Sequence, residues 1–143
     1  MSIEHNKAIA LRLATYGWGT VSGWETVWDE LVAEDVIQHF CSFNELILGL
    51  EAVKAFEASL FAGFPNIEQK ISAVVAEKNK VVYFHTLEGL HTGTFMGIPP
   101  TKKTVKATGF TMVQIAEGKV VERWYEMNLL EVMQQLGIIP REN

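Results

Sequence analysis

Cysteine is almost missing: the 143 residues hold a single one, Cys41. No intrachain disulfide can form, which fits a reducing compartment and sets the expectation of a cytoplasmic protein. Positive charge is scarce as well. Twelve Lys and Arg stand against seventeen Asp and Glu, a net charge of -5. No basic cluster occurs beyond Lys102-Lys103, so no nucleic-acid partner is expected. No apolar run reaches the roughly 18 residues of a membrane span. The first residues, Met1-Ser-Ile-Glu-His-Asn-Lys7, carry neither the basic nor the apolar segment of a signal peptide. No membrane partner is expected either. A glycine-rich phosphate loop is lacking, since Gly17-Trp-Gly19 has no later glycine and follows a helical pattern. His85 and His91 fall on one strand face, but six residues of strand put them about 20 Å apart, too far to share a metal ion. Internal repeats, linkers and low-complexity tracts are also missing. With 48% hydrophobic and 20% charged residues, residues 1–143 read as one globular domain long enough for a sizeable core.

The hydrophobic pattern changes period partway along. Ser2 is a candidate N-cap, and Ile9, Leu13 and Tyr16 recur at helical spacing, predicting a helix over Ile3–Tyr16. Residues 17–23, with three glycines, break it. Trp24, Val27, Trp28 and Leu31 give a second short helix, and Val36–Phe40 reads as a brief strand. Cys41–Leu48 reads as irregular. Leu50, Val53, Phe56 and Leu60 mark a third helix after Gly49, ended by Gly63-Phe-Pro-Asn66. From Ile67 the period becomes 2, with strands over 67–77, 81–92, 104–116 and 119–127 and a loop over 93–103. Helices first and antiparallel strands later mean an α+β fold. Strands of about ten residues favour a curled sheet, with bends at Gly89 and Gly109 and an apolar hollow between helices and sheet.

The last strand ends on a polar row. By strict alternation Glu122, Trp124, Glu126 and Asn128 share one side, and Asn128 can cap a closing helix over Leu129–Leu136. Two readings of the row stand: the wall of a pocket, or a half-exposed strand with a solvated acidic edge.

Several segments together resemble the SnoaL-like polyketide cyclase family of the NTF2-like superfamily. Gly89-Leu-His-Thr-Gly-Thr-Phe-Met-Gly-Ile-Pro-Pro-Thr-Lys-Lys103 is similar to its hairpin, Gly118-Lys-Val-Val-Glu-Arg-Trp124 to its last strand, and Gln134-Gln-Leu-Gly-Ile-Ile-Pro140 to its tail. Gly49-Leu-Glu-Ala-Val53 and Phe64-Pro-Asn66 match its third helix. The likeness runs over about residues 5–140. It implies an NTF2-like cone, three N-terminal helices packed in a curved, mostly antiparallel sheet, with an apolar pocket and assembly as a homodimer or homotetramer. It also implies ring closure of a polyketide without metal or cofactor, by an Asp four residues after the last-strand Trp. Here that position is Asn128, whose carboxamide does not titrate near neutral pH. The neighbouring polar position of the family is Gln114, also not ionisable.

Other groups are therefore candidates for the missing acid. Glu126, on the Asn128 side of the strand, is a possible displaced carboxylate, since burial would raise its pKa toward general acid/base use; its alternative is a solvated rim or an ion pair. His39 is a candidate pocket imidazole, or a satisfied core group. Gln114 and Asn128 would hydrogen-bond a carbonyl or enolate oxygen. Trp124, Met112 and Met96 would line the ligand, with Tyr16 and Trp28 as roof. His91 either faces the ligand or ties the 93–103 hairpin. Cys41 has no local base other than His39. The expected function is binding of a small hydrophobic, carbonyl-bearing molecule, with cyclase, isomerase or dehydratase chemistry. The alternatives are a ligand carrier or sensor, or an oligomeric interaction module.

Overall fold

Ser2 accepts a hydrogen bond from the His5 N–H on its side-chain oxygen at 3.1 Å, and helix α1 follows over Ile3–Tyr16. In this computed structural model, which describes residues 2–141, the buried stripe of α1 is Asn6, Ile9, Ala10, Leu13 and Ala14. Tyr16 is 56% exposed and lies outside that stripe, a correction to its expected place over the ligand. Gly17 caps α1 with its N–H on the Leu13 carbonyl at 2.8 Å, and no side chain fits there, since a Cβ would stand 2.4 Å from that carbonyl oxygen and 2.8 Å from the Trp28 indole nitrogen. Helix α2 (Trp24–Leu31) buries Trp28 and Leu31 and runs directly into strand β1, Val32–Phe40. The strand starts four residues before the expected Val36, because Val32 leaves the helix in an extended conformation and already pairs with Val120. The stretch expected to be irregular holds a short 3₁₀ turn, Cys41–Phe43, and strand β2, Glu45–Leu48. Gly49, at φ +92°, turns the chain into helix α3, Leu50–Gly63.

Strands β3 (Glu68–Glu77), β4 (Lys80–Leu90), β5 (Thr104–Ala116) and β6 (Lys119–Met127) follow, and helix α4 (Leu129–Gln135) closes the chain. They form one six-stranded curved sheet in the order β2-β1-β6-β5-β4-β3. All neighbours are antiparallel except β1 and β6, which pair in parallel. Helices α1 to α3 cover one face. Phe40, Val36, Val53, Val81, Val113 and Val120 form the innermost core, each 1% exposed or less. The α+β architecture with helices on a curved sheet is thus the one the hydrophobic periods imply. No helix among the described residues is long and apolar enough to cross a membrane.

Two register shifts decide which side chains face the helices. On β3 the pairing with β4 slips between Ser72 and Val74, with Ala73 at φ +54°. Between β5 and β6 it slips at Gln114/Ile115, so that Gln114 faces Glu122 while Ile115 faces Val120, leaving Val121 as an extra residue. Beyond this bulge Arg123, Tyr125 and Met127 are buried, whereas Trp124 is only half-buried and Glu126 exposed. A one-residue slip moves every side chain to the other face.

Candidate functional site

The bulge at Val121 overturns the expected inward row. Glu122, Trp124 and Glu126 stand on the face that no helix covers, together with Met112 and Gln114 of β5. Glu126 is exposed and its carboxylate accepts a hydrogen bond from the Ser42 hydroxyl at 3.3 Å. Asn128 is exposed too, and its side-chain oxygen accepts from the Glu131 N–H at 3.2 Å as the cap of α4. Both border an open groove of about 440 Å³ with Ser42, Phe84, Phe110 and Leu130, outside the sheet rather than within it. His39 likewise points outward. Its Nε2 lies 2.6 Å from the Glu122 carboxylate, and its ring stacks on Trp124 at 5.0 Å between centroids. Cys41 is half-buried, and burial followed by the Glu126 charge pushes its thiol pKa up, away from a nucleophile. Met96 sits in the 93–103 loop, 39% exposed. Of the expected ligand-facing groups, Trp28 and His91 are interior, 3% and 0% exposed. His91 Nδ1 accepts from the Thr101 N–H at 3.1 Å across the hairpin, which leaves the proton on Nε2, and that nitrogen has no partner among the described residues.

The interior between helices and sheet holds a different set of polar groups, one from each of several elements. Gln38 of β1 shares a strand face with core residues Val36 and Phe40 and is 0% exposed. Glu57 of α3 falls in the stripe begun by Leu50 and Val53 and is 3% exposed. Arg123 of β6 points at both. Its Nη1 donates to Gln38 Oε1 at 2.7 Å and to Glu57 Oε1 at 2.5 Å, and Gln38 Nε2 donates to the same Glu57 oxygen at 3.0 Å. The guanidinium carbon lies 5.1 Å from the Trp28 ring centre and 5.3 Å from that of Tyr125, so aromatic faces flank the cation. Burial works against the Arg123 charge, yet Glu57, Tyr83 and Tyr125 offset it and hold the pKa above its ordinary value. Burial, then the Glu57 charge, pushes the Tyr125 hydroxyl pKa up, so it remains a neutral donor.

Beside this cluster lies His85 of β4, 1% exposed, with Nε2 3.1 Å from the Thr111 hydroxyl of β5 and its ring stacked on Tyr125 at 5.7 Å. Burial and then the Arg123 charge lower its pKa from 6.5 to about 4, keeping it neutral at ordinary pH. Gly109, opposite on β5, gives the imidazole room, since a Cβ there would stand 2.8 Å from His85 Cε1.

Two small cavities touch the cluster. One, of about 30 Å³, is bounded by Trp18, Glu57, Phe61, Phe64, Phe95 and Tyr125. The other, of about 10 Å³, is bounded by Trp18, Trp28, Glu57, Phe61, Tyr83 and Arg123. Since one water needs at least about 10–15 Å³, the first has room for about two waters and the second for one at most. Glu57 Oε2 has no hydrogen-bond partner among the described residues, and Arg123 Nε is buried without one. The arrangement therefore offers a carboxylate acceptor, a guanidinium donor and phenolic donors on aromatic walls. The even-numbered row of the last strand does not point to it; the opposite row, Arg123, Tyr125 and Met127, faces it. The signal lay elsewhere, as single polar residues inside otherwise apolar stripes: Gln38 on β1, Glu57 on α3, His85 on β4. Among the described residues no group of three or more His, Cys, Asp and Glu is placed to hold a metal ion.

Comparison with known proteins bears on this geometry. The family profile described as SnoaL-like polyketide cyclase matches residues 9–136. The crystal structure of a protein from Jannaschia sp. CCS1, assigned as a SnoaL-like polyketide cyclase, is 35% identical, with 98% of this chain and 97% of that one covered and a TM-score of 0.92. AclR from Streptomyces galilaeus, assigned as a hydroxylase, is 23% identical over 99% of this chain and 87% of its own, with a TM-score of 0.83. IdmH from Streptomyces antibioticus, assigned as a polyketide cyclase, is 22% identical over 92% of this chain and 98% of its own, with a TM-score of 0.79. These last two show a shared fold. No curated protein sequence matches the chain significantly.

Proposed function

The chain belongs to the SnoaL-like polyketide cyclase family, and from that premise we propose that it binds a small, largely apolar, carbonyl-bearing molecule between its helices and the concave sheet face and moves a proton on it without a cofactor. The observation that carries this reading is Glu57: a 3%-exposed carboxylate bordering both interior cavities, with one oxygen held by Arg123 and Gln38 and the other unengaged. Asn128 cannot supply the acid, being a carboxamide spent on capping α4. In the proposed step a C–H bond beside the ligand carbonyl breaks, the proton passes to Glu57, and the electron pair moves onto the carbonyl oxygen as an enolate. Arg123 and the phenol of Tyr125 or Tyr83 supply donors to that oxygen from fixed positions, which is how developing charge is stabilised in a water-poor site.

Deuterium exchange at the α-carbon of 2-tetralone, followed by proton NMR, tests the step. The protein accelerates exchange over buffer, and Glu57→Gln loses at least about 100-fold of that acceleration, the usual scale of one general base. Equal rates in the two proteins would refute Glu57 as the base. Binding of the ketone with no acceleration by either would leave a carrier in place of an enzyme.

The same reading includes self-association through the uncovered sheet face. Phe84 and Phe110, paired in register with ring centres 5.0 Å apart, stand there with Trp124 and Met112, and Phe110 is 53% exposed. Apolar side chains clustered on a sheet face that no helix covers support an interaction surface, and a second copy of this chain is the occupant the reading commits to. Phe110→Glu places a charge at its centre and raises the dimer dissociation constant at least about 100-fold, the size of a central anchor residue. Sedimentation velocity reads the outcome, and a monomeric wild-type protein sinks the proposal.

A further inference from the structure

Neither interior cavity accepts a ligand as it stands, and the same two aromatic residues, Trp18 and Phe61, help bound both of them. The Trp18 indole meets the Phe61 ring edge-on at 4.8 Å. It comes from no helix or strand but from the turn over residues 17–23 between α1 and α2. One end of that turn is fixed, where the Trp28 indole N–H donates to the Gly17 carbonyl at 2.9 Å. The other end is a glycine, Gly23, at φ +80° with nothing within 4 Å of the place a Cβ would take, joined to α2 by backbone bonds from the Trp24 N–H to the Val21 carbonyl at 3.2 Å and from the Thr26 N–H to the Gly23 carbonyl at 3.1 Å. Between them Gly19 lies flat on Phe61, whose ring carbons would be 2.1 Å from a Cβ there. A single hydrogen bond, from Trp18 Nε1 to the Ile67 carbonyl at 3.0 Å, ties the indole to the sheet side.

We infer that Trp18 is the lid and size-selecting residue of the interior site, and that it gives way to planar two-ring carbonyl compounds carrying a hydrogen-bond donor. This inference rests on the interior-binding reading above. An internal backbone bond from the Val21 N–H to the Trp18 carbonyl at 2.8 Å holds the turn together, so that with glycine at its α2 end and one side-chain latch the indole swings with it as a unit. Withdrawal of the indole joins the two cavities and frees a space of indole size between Phe61 and the Glu57–Arg123 cluster. It also leaves the Ile67 carbonyl without its donor, and a part-buried acceptor left unpaired is unfavourable. A ligand hydroxyl reaching that carbonyl takes the place of the indole N–H, and an ether does not. The outward swing selects size as well: a two-ring plane fills what the indole vacates, and a single ring leaves part of it empty.

The probes are 6-hydroxy-1-tetralone and 6-methoxy-1-tetralone, added to the wild-type chain and to Trp18→Phe, which keeps an aromatic ring but removes the latch. The Trp18 indole N–H resonance, assigned by its loss in the variant, moves to the solvent-exposed position when the hydroxy compound saturates the wild type. Association with Trp18→Phe is at least about 10-fold faster by stopped-flow fluorescence, and the wild type binds the hydroxy compound about 10-fold more tightly than the methoxy one, the scale of one lost hydrogen bond to a buried group. An unmoved indole resonance while Tyr125 and Met127 shift would overturn the lid and leave interior binding standing. Equal association rates for the two proteins would do the same. Equal affinity for the two tetralones would overturn the donor requirement. No shift at Phe61, Tyr125 or Met127 with either protein would overturn interior binding itself, and the lid with it.

Discussion

Replacing Glu57 with alanine lowers the unfolding free energy by about 3–5 kcal/mol, because it strands the Arg123 charge in the interior. Arg123 is 7% exposed, and its ion-pair partner is Glu57, at 2.5 Å. Gln38 would remain bonded to the guanidinium, but a neutral amide does not balance a buried cation. The double variant Glu57→Leu, Arg123→Met removes both charges together and recovers most of the loss, since well-packed apolar residues commonly replace a buried ion pair at little cost. Urea titration of the single and double variants measures both. A single variant within about 1 kcal/mol of wild type would mean that water already reaches the pair. The comparison also bears on function, because a purely structural pair has no reason to be charged where apolar side chains do as well.

Acid unfolding is the second large effect, and its source is His85. In the unfolded chain its imidazole takes a proton as pH falls through 6.5, whereas in the folded protein it resists until about 4. The unfolded state therefore binds more protons between these values, and stability is lost as pH falls from 6.5 to about 4, with no further loss from this group below that. A drop from 6.5 to about 4 corresponds to on the order of 3 kcal/mol at a fully buried site. The sign follows from the neighbours. Arg123 repels the imidazolium, the Tyr83 and Tyr125 rings flank it, Thr111 satisfies Nε2, and the Glu57 carboxylate is already engaged with Arg123. His85→Gln keeps a polar group beside Thr111 and does not titrate, so its unfolding free energy falls much less over the same range. Parallel curves for wild type and His85→Gln between pH 6.5 and 4 would show that His85 is not the responsive group.

Much of the architecture was legible before any coordinates. The stripe Ile9, Leu13 in the first helix, Trp28 and Leu31 in the second, and Leu50 and Val53 in the third all bury as their 3.6 period requires. The long strands over 104–116 and 119–127 form within the limits their alternation sets. Strand β2 was hidden because Glu45-Leu-Ile-Leu48 is a short edge with only Ile47 buried, so it presents no alternation to read.

The site was legible only in part. Trp124, Glu126 and Asn128 form an unbroken alternating row in the sequence, and the row does exist in the fold, but on the uncovered side. Alternation identifies which residues share a face and says nothing of which face meets the helices. That choice belongs to the bulge at Val121, and it is stable because Tyr125 and Met127 fill the core while Arg123 finds Glu57 across from it. Glu57 in a helix stripe and Gln38 in a strand carry no local signal that they meet, and only the fold puts them 3.0 Å apart.

The chain's own residues thus determined the helices, the long strands, their order and the family, because periodicity and turn chemistry act over a few neighbouring residues. Which side of the last strand looks inward, and which charges meet beneath the helices, only the tertiary structure decided. Those outcomes depend on groups 66 and 85 residues apart in the chain, which nothing local can bring together.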